Sequence, residues 1–287
     1  MSETTNLPET ILVLGGTGKT GSRVAHHLAA RGLPVRIGSR SGEPPFDWDD
    51  PARWAPVLDG VTSAYITYQP DLAFPGAAET VGAFARLAVE HGVRRLVLLS
   101  GRNEEGALRG EQAVRESGAD WTIVRSSFFA QNFSEGFWVD AVVSGELAVP
   151  AGDVTEPFID VDDVADIVVA ALTEDGHRGQ LYEVTGPRLL SFADVAAELS
   201  GATGREVRYV PVSSEDFVSA LRAEGLPPDL VAGLAGLFDE VLDGRSSYLA
   251  DGVQRALHRP PRDFADYARD AAASAAWRPA WPERRGG

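Results

Sequence analysis

The run Ile11-Leu12-Val13-Leu14-Gly15-Gly16-Thr17-Gly18-Lys19-Thr20-Gly21 limits the possible folds more than any other stretch of the chain. Ile11 to Leu14 has the apolar continuity of a buried strand, and Ser22 to Arg31 reads as a helix, so the glycines between them must form a tight turn. The Gly-Lys-Thr ending invites comparison with an ATPase phosphate loop, G-x-x-x-x-G-K-[ST]. The glycine that loop needs five positions before Gly18 is instead Val13. Gly16, Gly18 and Gly21 satisfy G-x-G-x-x-G, and Gly15, Gly18 and Gly21 the looser G-x-x-G-x-x-G. Strand, glycine turn and helix start together present backbone N–H groups and a positive dipole end, which suits a pyrophosphate. ATP is disfavoured, and a dinucleotide is expected.

The pattern continues in the same sense. Strands are expected near 11–14, 34–39, 62–67, 94–100 and 120–125, with a weak one near 46–48. Helices are expected between them near 19–31, 52–58, 74–91 and 104–117, with Gly32, Gly60, Gly92 and Gly118 where helices stop. Alternation of this kind implies an α/β fold with a doubly wound, Rossmann-type parallel sheet and ligands at the carboxyl ends of the strands. After Arg125 the texture becomes aromatic and turn-rich. "FIDVDDVADIVVAAL" then reads as a helix capped by Asp160 or Asp162, and "QLYEVTG" as a further strand. From Ser191 the chain turns mainly helical, near 192–202, 214–224, 228–242 and 262–275, with a strand near 207–211, and the tail "WRPAWPERRGG" is expected to be loosely held. The expected division is residues 1–150 for the nucleotide-binding domain, its sheet completed by parts of 151–212, and 187–287 for a smaller substrate part.

Composition narrows the partners. A net charge of −16 disfavours nucleic acid and anionic membranes, so a small molecule is expected. No apolar run approaches the roughly 20 residues a bilayer span requires, and no leader-like segment is read at the start. The expected compartment is the cytoplasm. Absence of cysteine removes thiol catalysis and cysteine-ligated metals, and the five histidines (His26, His27, His91, His177, His258) lack metal-ligand spacing, so no metal is expected. His26-His27 reads as a solvated pair. No heptad or apolar stripe assigns an oligomeric state.

The second strand chooses the cofactor. NAD-binding domains carry an acidic residue at its end, about 20 positions beyond the glycines, for the ribose 2′-hydroxyl. Here that end reads Val35-Arg36-Ile37-Gly38-Ser39-Arg40-Ser41, with no carboxylate before Glu43. Ser39 and Arg40 suit a 2′-phosphate, so NADP(H) is expected over NAD(H). Asp47 and Trp48 are placed to flank the adenine. Thr67 and Tyr68 follow a strand end near the nicotinamide ribose, and Ser100 lies at the next strand end, as a cofactor contact or a catalytic hydroxyl.

"GGTGKTG", "FDWDDPARW", "LLSGRNEEG", "ADWTIVRSSFFAQNF", "PFIDVDDVADI" and "LYEVTGP" together resemble the NmrA-like, atypical branch of the short-chain dehydrogenase/reductases, over roughly residues 10–275. "FDW" and "RSSFFAQNF" are similar to the subgroup of fungal ergot-alkaloid iminium reductases of the festuclavine dehydrogenase type. The branch also contains actinomycete ketoreductases of antibiotic biosynthesis, one of which acts on an angucyclinone. The resemblance implies an extended Rossmann fold, NADP(H) at the glycine turn and a smaller C-terminal part over the substrate. It implies Gly15, Thr17, Gly18, Lys19 and Thr20 at the pyrophosphate, and Ser39 and Arg40 at the 2′-phosphate.

One departure matters. Orthodox members of that superfamily reduce ketones with a serine, a tyrosine acid and a lysine four residues beyond the tyrosine. Ser100 fits the serine, but no tyrosine or lysine lies between Ser100 and Arg125, and Lys19 is the sole lysine of the chain. Three readings follow. A ketone of a polycyclic aromatic secondary metabolite is reduced, the proton coming from water, Ser100, Tyr68 or a substrate hydroxyl. Alternatively an imine or iminium is reduced, needing no enzyme acid. Or the protein is a non-catalytic, NADP-sensing regulator. The aromatic run Phe128, Phe129, Phe133, Phe137 and Trp138, with Asn132, is expected to supply a flat substrate wall. Part of that stripe also has the i, i+4 spacing of core residues.

Overall fold

The computed structural model describes residues 10–136 and 138–277. Phe137 and the tail beyond residue 277, both subjects of expectations above, lie outside the described residues.

In chain order the elements are β1 (Thr10–Leu14), α1 (Lys19–Ala30), β2 (Val35–Gly38), α2 (Trp54–Leu58), β3 (Val61–Ile66), α3 (Ala77–Glu90), β4 (Arg95–Gly101), α4 (Glu105–Arg115) and β5 (Asp120–Ser126). There follow α5 (Val139–Ser144), β6 (Glu146–Val149), β7 (Thr155–Glu156), α6 (Val161–Thr173), β8 (Gln180–Val184), β9 (Leu190–Ser191), α7 (Phe192–Thr203) and β10 (Arg208–Pro211). The last are α8 (Ser214–Ala223), α9 (Pro228–Val241), α10 (Gly252–Leu257) and α11 (Phe264–Ala273).

Six parallel strands form one sheet in the order β2-β1-β3-β4-β5-β8. Alternate residues serve alternate faces, as strand geometry requires. Leu12, Leu14, Ala64, Ile66, Leu96, Leu98 and Ile123 pack with Trp54, Val57, Val81, Phe84 and Val114 of α2, α3 and α4. Tyr65, of opposite parity, reaches Thr20 of α1. Helix α1 packs beside α6, and α6 beside α10. Buried on both faces, β1 reads as an unbroken apolar run.

The weak strand expected near 46–48 does not form. Pro44 and Pro45 lack the N–H groups a strand beside β2 would contribute, and the Phe46 N–H donates back to Ser39 O at 2.9 Å. Phe46 and Trp48 instead meet Phe84 edge to face, at 5.6 and 5.4 Å between centroids. The Trp54 indole N–H donates to Asp47 O at 2.9 Å. The "FDWDDPARW" segment is therefore a packed aromatic corner.

The chain divides into two compact units. One takes the described residues up to Ser127, with Val161–Thr185 and Ala250–Pro261; the other takes 128–160, 186–249 and those from Arg262 on. The return of α6 and β8 lies within the expected completion of the sheet by parts of 151–212, whereas residues 128–160 fall in the second unit and 250–261, with α10, in the first. The second unit is not helical alone: β6 pairs parallel with β10, and β7 antiparallel with β9. Its core gathers Phe133, Trp138, Phe158, Phe192 and Phe264, and Ser191 with Asp194 forms a capping box at the start of α7. No helix among the described residues is long and apolar enough to cross a membrane.

Two histidines depart from a solvated role. His27 Nδ1 lies 3.3 Å from Asp166 of α6, while His26 is exposed. His177, buried, pairs its Nδ1 with the Tyr182 hydroxyl at 2.9 Å, and burial holds its pKa below the ordinary 6.5. As pH falls through 6.5 the unfolded chain takes up this proton first, so the His177 contribution is complete above 6.5 and is lost below it. Urea unfolding from pH 8 to 5 is expected to show this loss, and His177→Gln to flatten the acid limb.

Candidate ligand crevice at the strand ends

The glycine turn works by close approach. Gly15 takes a positive φ of 63°, its N–H donates to Gly38 O at 3.2 Å, and its carbonyl accepts from Gly18 N–H at 2.8 Å. A Cβ at Gly15 would fall on the Thr67 hydroxyl, one at Gly16 on the Ile37 side chain, and one at Gly21 on the Gly15 carbonyl. The Thr67 hydroxyl donates to Leu14 O at 3.2 Å, and the Trp48 indole N–H to Thr67 O at 3.1 Å. The carboxyl ends of β1, β2 and β3 are thereby joined at one point. Gly18 caps α1 without a side chain, and no acidic residue stands in the first turn, so the positive end of the helix is not neutralised locally.

Thr17 is exposed beside this turn, and the Lys19 carbonyl accepts from Arg23 Nη1 at 2.8 Å. Thr20 differs from its expected posture. It is 5% exposed, and its hydroxyl accepts from Tyr65 at 3.0 Å, so its side chain faces the core. Burial raises the Tyr65 pKa, which keeps that phenol a donor. At the end of β2, Ser39 Oγ lies 3.5 Å from Ser41 Oγ. Arg40 is exposed and, among the described residues, has no carboxylate or hydrogen-bond partner. Asp47 Oδ1 accepts from the Asp49 N–H at 3.2 Å.

Tyr68, half-buried, leans on Trp48 at 5.1 Å between centroids, and among the described residues its hydroxyl has no partner. Three residues on, Asp71 accepts from Ala73 N–H at 2.8 Å, yet burial pushes its carboxyl above the usual carboxylate range. Sequence reasoning did not single out Asp71, which only its burial marks.

Ser100 departs most from expectation. It is 3% exposed and donates to Glu111 Oε1 at 2.8 Å. Glu111, on α4, also accepts Arg125 Nε at 2.8 Å and Nη2 at 2.6 Å, with Arg115 Nη2 at 3.6 Å. Ser100 and Arg125 are register partners on β4 and β5, so both point at the same helix. Arg125 also approaches Glu183 of β8 at 3.8 Å, and Arg102 donates to Glu183 at 2.9 Å. An ionic network therefore stands behind the strand ends, and it takes the Ser100 proton that an acid catalyst would need. No sequence pattern announced it, since Glu111 and Arg125 look like ordinary surface charges until the register is known.

The aromatic stripe belongs to the second unit and is divided. Phe133 is 0% and Trp138 3% exposed, stacked on each other at 5.2 Å, so these two are core and not substrate wall. Phe128, Phe129 and Asn132 remain half-buried; Phe128 stacks on Trp138 at 5.4 Å, and the backbone of Phe129 bridges Ile159. The Trp277 indole donates to Phe133 O at 2.6 Å, fixing that core from the far end of the chain. Among the described residues, no group of three His, Asp or Glu is placed to hold a metal.

Comparison with known proteins agrees with this architecture. The sequence pattern of the NmrA-like family matches residues 109–263. An NAD(P)H azoreductase of Xenophilus azovorans is 33% identical over 92% of this chain and 98% of its own. Festuclavine dehydrogenase easG of Aspergillus fumigatus is 32% identical over 90% of this chain and 96% of its own. Among solved structures, the Citrobacter sp. triphenylmethane reductase complexed with NADP(H) shares the fold, with a TM-score of 0.73 and 21% identity, over 91% of this chain and 99% of that one.

Removing Arg125 would leave Glu111 buried without its fork. Arg125→Ala is expected to cost about 3–5 kcal/mol in urea unfolding, whereas Arg178→Ala, at the exposed pair with Asp120, is expected to cost about 1 kcal/mol or less.

Proposed function

Because this chain belongs to the NmrA-like family of reductases and dehydrogenases, we propose that it is an NADPH-dependent reductase of a flat, conjugated small molecule. The observation that carries the cofactor reading is Arg40, an exposed guanidinium without a partner among the described residues, at the end of the strand that the glycine turn touches. The turn itself fits a dinucleotide, because its close approaches leave no room for a Cβ and its helix start is uncapped by any side chain. Gly15, Thr17, Gly18 and Lys19 would hold the pyrophosphate, with Thr20 acting through its backbone N–H. Ser39 and Arg40 would clasp the 2′-phosphate, and Asp47 and Trp48 would border the adenine. NADPH, when bound, supplies the hydride.

The remaining chemistry is proton supply and orientation. Thr67 and Tyr68 stand on the nicotinamide ribose side, and the unbonded Tyr68 hydroxyl is the protein's first source of a proton. Asp71, whose carboxyl pKa is raised by burial, is a second candidate on the same loop. Ser100 is not a source, since its proton goes to Glu111. Such a site suits an acceptor that needs little acid: a ketone of a polycyclic aromatic metabolite whose own neighbouring hydroxyl assists. Phe128, Phe129 and Asn132 are the proposed substrate contacts. Production of a secondary metabolite, in the cytoplasm, is the expected setting.

A second reading, reduction of an iminium, is favoured by the net charge of −16 and by the likeness to festuclavine dehydrogenase. Hydride addition to such a cation requires no enzyme acid. The regulator reading has less support, because these relatives are named as a reductase and a dehydrogenase.

Arg40→Ala is expected to reduce the preference for NADPH over NADH at least tenfold in kcat/KM, the size of a lost charge-assisted fork. An unchanged preference would remove the 2′-phosphate assignment. Tyr68→Phe is expected to lower kcat about 100-fold or more on a ketone and to leave an iminium substrate untouched. Equal loss on both substrates would assign Tyr68 to binding.

A further inference from the structure

A hydroxyl has one proton to give. That of Ser100 is directed at Glu111 Oε1, 2.8 Å away, and both positions are almost fully buried, at 3% and 2% exposure. The Glu111 carboxylate is fixed in turn by the two-pronged Arg125 contact at 2.8 and 2.6 Å. A carboxylate clasped by a guanidinium only accepts, so the Ser100 proton has no competing orientation on that side. Glu111 does not need Ser100 for charge balance, since Arg125 and Arg115 already face it. The pairing therefore has its main consequence for Ser100, which is left with lone pairs alone for whatever approaches from the end of β4.

We propose that Ser100, oriented by Glu111, is a hydrogen-bond acceptor at the β4 end of the ligand crevice and takes an N–H donor there, the reverse of the donating role a serine at this position has in ketone reduction. Glu111 is then a positioning residue acting through Ser100. This inference rests on the NADPH reductase reading. The N–H has two possible sources: the carboxamide of the nicotinamide, or a protonated imine on the substrate.

Binding measurements separate them. Calorimetry compares NADP⁺ with its 3-acetylpyridine analogue, which keeps a carbonyl but has no carboxamide N–H. If the cofactor is the donor, Ser100→Ala weakens NADP⁺ about fivefold and leaves the analogue within twofold. Ser100→Thr, which keeps the hydroxyl, then retains the wild-type difference. If the substrate is the donor, both nucleotides bind Ser100→Ala as they bind wild type. In that case a protonated cyclic imine loses affinity for the NADP⁺-loaded protein, while its N-methyl iminium counterpart does not.

Glu111→Gln provides the converse. An amide N–H turned toward Ser100 releases the serine proton, and the preference shifts toward the acetyl analogue. Circular dichroism and Tm establish that this variant is folded; if it is not, the Ser100 variants decide alone. The proposal is overturned if Ser100→Ala changes no arm, or if it weakens the analogue as much as NADP⁺. Failure of the wild-type protein to take up NADP⁺ or NADPH at all would instead overturn the reductase reading, and that titration comes first.

Discussion

A close backbone approach at the glycine turn governs the architecture of the first unit. Gly21 lies against the Gly15 carbonyl, and Gly15 against the Thr67 hydroxyl, at distances a side chain would forbid. This contact brings the start of α1 onto the ends of β1 and β3, while the Gly15 N–H ties in β2 through Gly38. The consequence is electrostatic as well as steric. The helix begins where three strands end, and its N–H groups and dipole lie at those ends with no side-chain cap and no acid in the first turn to compete with an anion. A chain of charge −16 thus keeps one small region suited to phosphate, with Arg40 beside it.

Behind the crevice the same sheet carries a second device with a different purpose. Glu111, Arg125, Glu183 and Arg102 are linked across α4, β4, β5 and β8 by contacts of 2.6–3.8 Å. Buried ion pairs of this kind add little net stability, because desolvation offsets most of their attraction. What they do is fix direction. Ser100 is held in one orientation, and the end of β4 is given the polarity of an acceptor. The chain has no tyrosine–lysine couple, and the Ser100 hydroxyl directs its proton to Glu111.

Aromatic residues serve each unit separately. In the first, Phe46, Trp48 and Trp54 close around Phe84 where a further strand was expected, and the Trp48 indole carries that packing to Thr67 at the crevice. In the second, the stacked Phe128, Trp138 and Phe133 form a continuous core with Phe158 and Phe192. Phe128, half-buried, stands at the margin of that core.

The amino-acid sequence by itself determined the elements and the nucleotide turn, because both rest on local rules. A buried strand needs an apolar run, a helix a 3.6-residue period, and a turn without room for Cβ needs glycine, as at Gly15 and Gly21. It also determined the Ser39-Arg40 strand end and the absence of a tyrosine–lysine couple, which are matters of presence and position. Tertiary structure alone decided which way side chains face. Two prolines turned an expected strand at 46–48 into an aromatic corner. Register placed Ser100 and Arg125 side by side beneath Glu111, and burial divided the Phe128–Trp138 stripe into core and margin. Neither a hydrogen-bond partner 11 to 14 positions away nor the closing of a core by Trp277 on Phe133 has a local period to betray it. Long-range contact is set by how strands and helices pack, and that information is spread over the whole chain.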